Sequence, residues 1–162
     1  MARVDRPWHI VAEFPSEADA GRAYEAVAEF IRGEVEYCNS LLRQFGYVAC
    51  SNARFDTREG AERWVRNVVE VASRMGRGDR VRYSIRMEGS EALVDVDFGA
   101  WLQYASPQLA LRSVRLQGRV LDITLSMADE CRDRLLEIIR EVGGEVLRSC
   151  LLYTSPSPRD RG

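Results

Sequence analysis

This sequence carries one histidine, His9, cysteines at positions 38, 50, 131 and 150, and no lysine. Those three facts remove much of ordinary enzyme chemistry. Without lysine there is no Schiff-base nucleophile, no phosphate-loop lysine and no kinase-type ATP lysine. With one histidine, a site built from several imidazoles is excluded. A catalytic His9 would need an orienting carboxylate and a pocket; at the edge of a strand, beside Trp8, a structural or solvated role is expected. Cys38, Cys50 and Cys131 lack C-x-x-C spacing, so no metal ligand set is expected. Cys38 and Cys131 fall on apolar helical stripes, where a small buried hydrophobe is the expected role. Cys50 lies on a strand and would act as a nucleophile assisted by His9 only if their strands were neighbours.

Charged and aromatic residues offer the remaining candidates. Asp95 and Asp97 alternate on one strand face and could hold a cation or share a proton. Each has an arginine or serine across the strand, however, and pairing on a solvated face accounts for them. Arg80, Arg82 and Arg86, with Arg112, Arg115 and Arg119, could line a sheet face that binds an anion or an RNA strand. Asp95, Asp97 and Asp122 would share that face and blunt its field. Trp101, Leu102 and Tyr104 precede Pro107 on a connection and read either as an exposed partner interface or as a plug for one end of the core. Gly76-Arg77-Gly78-Asp79 has a helix before it and a strand after it, the reverse of a phosphate-binding fingerprint, and reads as a connection.

The elements that must position these residues follow from periodicity. Trp8–Phe14 is an apolar strand closed by Pro15. Ser16 with Asp19 opens a helix along Ala20, Ala23, Val27, Phe30 and Ile31. Gly33 is expected to break it, with a second helix along Val35, Cys38, Leu41, Leu42 and Phe45 up to Gly46. Tyr47–Phe55 reads as a strand. Asp56 and Glu59 open a helix with the stripe Ala61, Trp64, Val65, Val68, Val71, Ala72 and Met75, ended by Gly76. Val81–Met87 and Ala92–Phe98 alternate around a two-residue turn at Gly89-Ser90. That register pairs Met87 with Ala92, Ile85 with Val94, Tyr83 with Val96 and Val81 with Phe98, and sets Arg82 opposite Asp97. Ser106-Pro107 starts a short helix or an irregular stretch. Strands follow at Val114–Leu116 and Val120–Met127, then a helix capped by Ser126 and Asp129 along Cys131, Leu135, Ile138 and Val142. Gly143-Gly144 ends it before a final strand from Glu145.

This order, β-α-β-α-β-β-β-β-α-β, predicts an α+β two-layer sandwich with helices on one face of a mainly antiparallel sheet. A ferredoxin-like arrangement or an elaboration of it is the first expectation. Residues 150–160, Cys-Leu-Leu-Tyr-Thr-Ser-Pro-Ser-Pro-Arg-Asp, break from the text before them and are similar to a translated transposase-type sequencing adapter. Residues 150–162 are therefore read as a non-native tail, and 1–149 as a single domain truncated at its C-terminus.

The formal charge of −2 becomes −3 for 1–149, once Arg159, Arg161 and Asp160 are set aside. That acidity argues against general nucleic-acid affinity. No apolar run reaches membrane-spanning length and no signal peptide opens the chain, so a cytoplasmic protein with reduced thiols is expected. The absence of lysine fits the arginine-favouring codons of a GC-rich genome. Function is expected to be non-catalytic: a module binding a small ligand or a protein partner, or assembling as a homodimer, without cofactor or metal. A small enzyme with its pocket between sheet and helices, and single-stranded RNA binding on the sheet face, are the alternatives.

Overall fold

Alternating apolar residues in the strands and 3.6-residue stripes in the helices both demand a covered face, and the chain covers them in two places rather than one. The computed structural model describes residues 5–46 and 50–152. In chain order the elements are β1 (Arg6–Glu13), α1 (Glu17–Phe45), β2 (Cys50–Phe55), α2 (Arg58–Arg74), a 3-10 turn (Gly78–Arg80), β3 (Arg82–Glu88), β4 (Glu91–Asp97), α3 (Pro107–Leu111), β5 (Val114–Gln117), β6 (Val120–Met127), α4 (Asp129–Glu141) and β7 (Glu145–Leu151). The protein is α+β, with helices laid on antiparallel sheets as expected. The single sheet of the sequence reading is replaced by two, one ordered β5-β6-β1-β7 and the other β2-β4-β3. Periodicity tells a strand which face to bury but not which strand to join.

Each sheet has its own core. Trp8, Ile10, Ala12, Leu121, Ile123 and Leu125 meet Ala23, Val27, Ile31, Leu135 and Ile139 in the first. Ala92, Val94, Val96 and Phe98 meet Leu41, Ala61, Val65 and Val68 in the second. The 29-residue α1 serves both, with Val35 in the first core and Tyr37 in the second. At about 1.5 Å per residue it is roughly 43 Å long, enough to bridge two lobes. Ser16 caps it, its hydroxyl accepting the Asp19 N–H at 3.1 Å.

The hairpin register is as expected: Arg82 lies opposite Asp97, Tyr83 opposite Val96, Ile85 opposite Val94 and Met87 opposite Ala92. Val81 and Phe98 lie just outside that ladder.

Local expectations fail where a tertiary partner intervenes. Gly33 does not break α1, which runs through it without interruption. A Cβ on Gly33 would sit 2.9 Å from an Arg77 guanidinium nitrogen, so the glycine is a notch for that side chain. The cap of α2 is Thr57, whose hydroxyl accepts the Gly60 N–H, one residue after the expected Asp56. Ser126 stays in β6, and α4 begins after Ala128 without a side-chain cap. Residues 47–49 of the expected second strand, and 153–162 of the tail, lie outside the described residues. β7 continues through Cys150 and Leu151, past residue 149, on main-chain pairing with His9 and Trp8.

Candidate functional site

The seam between the two cores is closed by charge. Glu34 lies on the buried side of α1, between Ile31 and Cys38, and is fully buried. Its Oε2 accepts from Arg77 Nε at 3.0 Å and from a terminal Arg77 nitrogen at 2.6 Å. Arg80 closes the other side, one guanidinium nitrogen 2.6 Å from Oε1 and the other 3.0 Å from Oε2. Both arginines come from the α2–β3 connection. Arg77 also donates to the Met75 carbonyl at 2.6 Å and lies over the Tyr37 ring. Arg80 donates to the Gly99 carbonyl at 3.2 Å and stacks on Trp101, 3.4 Å from its centroid. Gly99 permits this approach: its φ is +71°, and a Cβ there would lie 2.4 Å from the Arg80 Cβ. The buried carboxylate is fully paired, which is the condition for burying it, and the net charge of +1 on the trio sits on arginines that are still 18% and 16% exposed.

Tyr37 completes the seam. Its hydroxyl donates to the Phe98 carbonyl at 2.7 Å. Burial lifts its phenol to about 12 from the ordinary 10.0, against the opposing pull of Arg80 and Arg77. Folding therefore favours the protonated phenol. That contribution is complete below pH 10 and is lost as pH rises from there through about 12. Tyr37 is expected to ionise late in an absorbance titration, and Tyr37→Phe removes that late component. The same substitution leaves the Phe98 carbonyl without its donor and lowers stability by about 1–3 kcal/mol in chemical denaturation.

Beside the seam lies a cleft of about 430 Å³, lined by Phe30, Asp79, Arg80, Arg82, Asp97, Gly99, Trp101, Glu130 and Arg134 among others. It draws on both lobes: Phe30 from α1, Arg82 and Asp97 from β3 and β4, Glu130 and Arg134 from α4. Asp97 faces Arg82 in register, but its carboxylate accepts the Gly99 N–H at 2.9 Å. Among the described residues Arg82, Asp79 and Glu130 have no ionic partner, and Arg134 is tied to Glu137 at 3.0 Å. Among the described residues the lining contains no histidine, cysteine or hydroxyl side chain.

Other sequence candidates lie elsewhere. Leu102 is fully buried in the first core, so it plugs that core and offers no surface to a partner. Trp101 is half-buried under Arg80, and the Tyr104 hydroxyl accepts the Ser126 N–H at 3.3 Å. The arginines do not share a face. Arg80 turns into the seam, Arg82 and Arg86 stand on the helix-free face of the three-stranded sheet, and Arg115 belongs to the four-stranded one. No aromatic residue shares the β3 and β4 face with Arg82 and Arg86, because Tyr83 alternates to the other side.

His9 points away from the cleft, on the helix-free face of the four-stranded sheet. Its Nε2 lies 3.1 Å from Asp122 Oδ1, and its buried Nδ1 has no hydrogen-bond partner among the described residues. β1 and β2 belong to different sheets, so the strands that carry His9 and Cys50 are not paired neighbours. The cysteine opposite His9 in register is Cys150, where the adapter-like text begins. At the end of β1, Asp129 accepts from Arg6 at 3.2 Å and from the Trp8 indole at 3.3 Å, and the Arg6 hydrogen bond holds its carboxyl below the ordinary range. Among the described residues no three histidine, cysteine or carboxylate side chains gather to hold a metal ion, and no helix is long and apolar enough to cross a membrane.

Sequence reading missed Glu34 and Arg77. The available signal was a carboxylate at the i+3 position after Ile31 and i−4 before Cys38, on a stripe otherwise apolar. Fold and site together define an α+β protein of two antiparallel sheets sharing one helix, with a charged cleft at their junction. Neither a protein-family model nor a curated protein matches its sequence.

Proposed function

We propose that this protein is a non-catalytic cytoplasmic binding module whose cleft takes a small zwitterion of the free amino-acid class. The observation that carries the reading is the lining: three arginines and three carboxylates around one opening, with Phe30 and Trp101 as its apolar walls. A purely anionic or cationic ligand would meet repulsion from half of these groups. A molecule with a carboxylate and an ammonium can satisfy both sets, and about 430 Å³ is within the usual range of small-molecule sites. A lining that, among the described residues, offers carboxylates but no cysteine, hydroxyl or imidazole side chain favours binding over catalysis. The RNA alternative draws no support from a face lacking aromatic platforms.

In architecture we read β1-α1-β5-β6-α4-β7 as a ferredoxin-like unit with β2-α2-β3-β4 inserted into it. The strand order β7-β1-β6-β5 supports this, since it places the first and third strands of that unit at the centre.

The test is titration of the protein with free amino acids, dicarboxylates and inorganic phosphate, followed by Trp101 fluorescence and thermal stabilisation. At least one amino acid is expected to bind. Glu130→Gln and Arg134→Gln should each weaken it about tenfold, by removing a charged hydrogen bond. Binding by phosphate or dicarboxylates alone, or by nothing in the series, would refute the zwitterion reading.

A further inference from the structure

We propose that the free edge of the three-stranded sheet joins two copies of this chain through antiparallel β3–β3 pairing centred on Ile85. β3 is an edge strand of seven residues, ordered β2-β4-β3, and it carries no register irregularity. Long regular edges present unpaired N–H and C=O groups to any strand that fits. On this one the outward groups are identifiable. The two-residue turn makes Glu88 and Glu91 the closing hydrogen-bonded pair. Even-numbered residues of β3 therefore bond to β4, and the N–H and C=O groups of Tyr83, Ile85 and Met87 point outward.

A two-fold axis perpendicular to the sheet keeps the helices of both copies on one side, so only residues of like parity can face each other. Centring the axis on Ile85 sets Tyr83 against Met87 of the second copy, Ser84 against Arg86 and Arg82 against Glu88. Tyr83 and Met87 are 52% and 43% exposed in the single chain, on the face that the helices are meant to cover. In the pair each covers the other. The charges agree as well: Arg82 has no ionic partner among the described residues, and Glu88 has only a loose 3.9 Å contact with Arg86. Moving the axis one step either way sets arginine against arginine, Arg82 against Arg86 or Arg86 against itself. Of these three registers only the one centred on Ile85 is self-complementary. It yields a continuous six-stranded sheet with about six new interstrand hydrogen bonds. Tyr83 also borders a groove with Val65, Arg66, Val69 and Glu70 of α2, into which the second copy's Met87 side chain can extend.

Sedimentation equilibrium of the full chain, from low to high micromolar, tests this, with circular dichroism to verify each variant's fold. The expected mass is twice the 18.4 kDa chain. Glu88→Arg sets like charges opposite each other twice per dimer and should weaken association about tenfold. Arg82→Glu should do the same, and the Arg82→Glu/Glu88→Arg double variant should recover the original affinity. Met87→Glu, at an exposed position, should abolish the dimer. A monomer throughout, a dimer indifferent to Glu88→Arg and Met87→Glu, or a double variant no better than its singles would each overturn the proposal. The readout is mass, so it is judged separately from amino-acid binding in the cleft.

Discussion

Glu34→Ala is expected to lower the unfolding free energy by about 3–5 kcal/mol, a large share of what holds a domain of this size. The substitution does more than remove contacts. It leaves the Arg77 and Arg80 side chains, 18% and 16% exposed, without the buried carboxylate that both of them bind. Their remaining partners are the Met75 and Gly99 carbonyls and two aromatic rings, which neutralise nothing. Glu34→Gln should fall between wild type and alanine, since the amide still accepts a hydrogen bond but carries no charge. The informative control removes all three charges: Glu34→Leu with Arg77→Met and Arg80→Met. Buried ion pairs replaced whole by apolar groups of similar volume are often neutral or stabilising. Urea denaturation of the set decides the matter. A triple variant as unstable as Glu34→Ala would mean that the packing of the seam, rather than its charge balance, sets the cost.

Gly99→Ala should be the next most damaging single change, at about 2–5 kcal/mol. A left-handed backbone costs an alanine about 1–2 kcal/mol. Forcing a methyl into occupied space adds about 1–3 kcal/mol. The space is occupied by backbone as well as side chain: the new Cβ would lie 2.4 Å from the Arg80 Cβ and 3.1 Å from its carbonyl oxygen. Arg80 can yield only by leaving Glu34 and Trp101, so Trp101 fluorescence should change together with stability. Gly118→Ala isolates the conformational part, because Gly118 has a similar φ of +60° in a turn with nothing within 4 Å of a Cβ. Thermal denaturation of both variants should show Gly99→Ala clearly the worse. Equal losses would mean that the Arg80 contact is readily relieved.

The contrast between the β3–β4 hairpin and α1 explains how far the sequence could be read. In the hairpin every core pair is apolar on both sides, so any slip would expose several residues at once, and the register follows from the residues alone. In α1 the same style of reasoning broke the helix at Gly33, because glycine in isolation weakens a helix. The Arg77 guanidinium that lies against it comes from another element. Similarly, Trp101, Arg80 and Arg82 stood out by type, yet Glu34 passed as one more helical carboxylate. Its meaning depends on Arg77 and Arg80, 43 and 46 residues further along the chain.

By itself, the sequence determined the periods, the caps at Ser16 and Ser106, the hairpin register and the α+β class. It also excluded lysine-dependent and multi-histidine chemistry. These are properties of composition and of neighbours along the chain. The tertiary structure alone decided that the strands part into two sheets and that α1 spans both. It decided, too, that a carboxylate on the apolar stripe is neutralised by two arginines from one connection, and that the cleft forms beside them. A sheet edge accepts any strand of suitable pattern, and a buried charge accepts any counter-ion in reach. Which one arrives is settled only by the simultaneous burial of every other face.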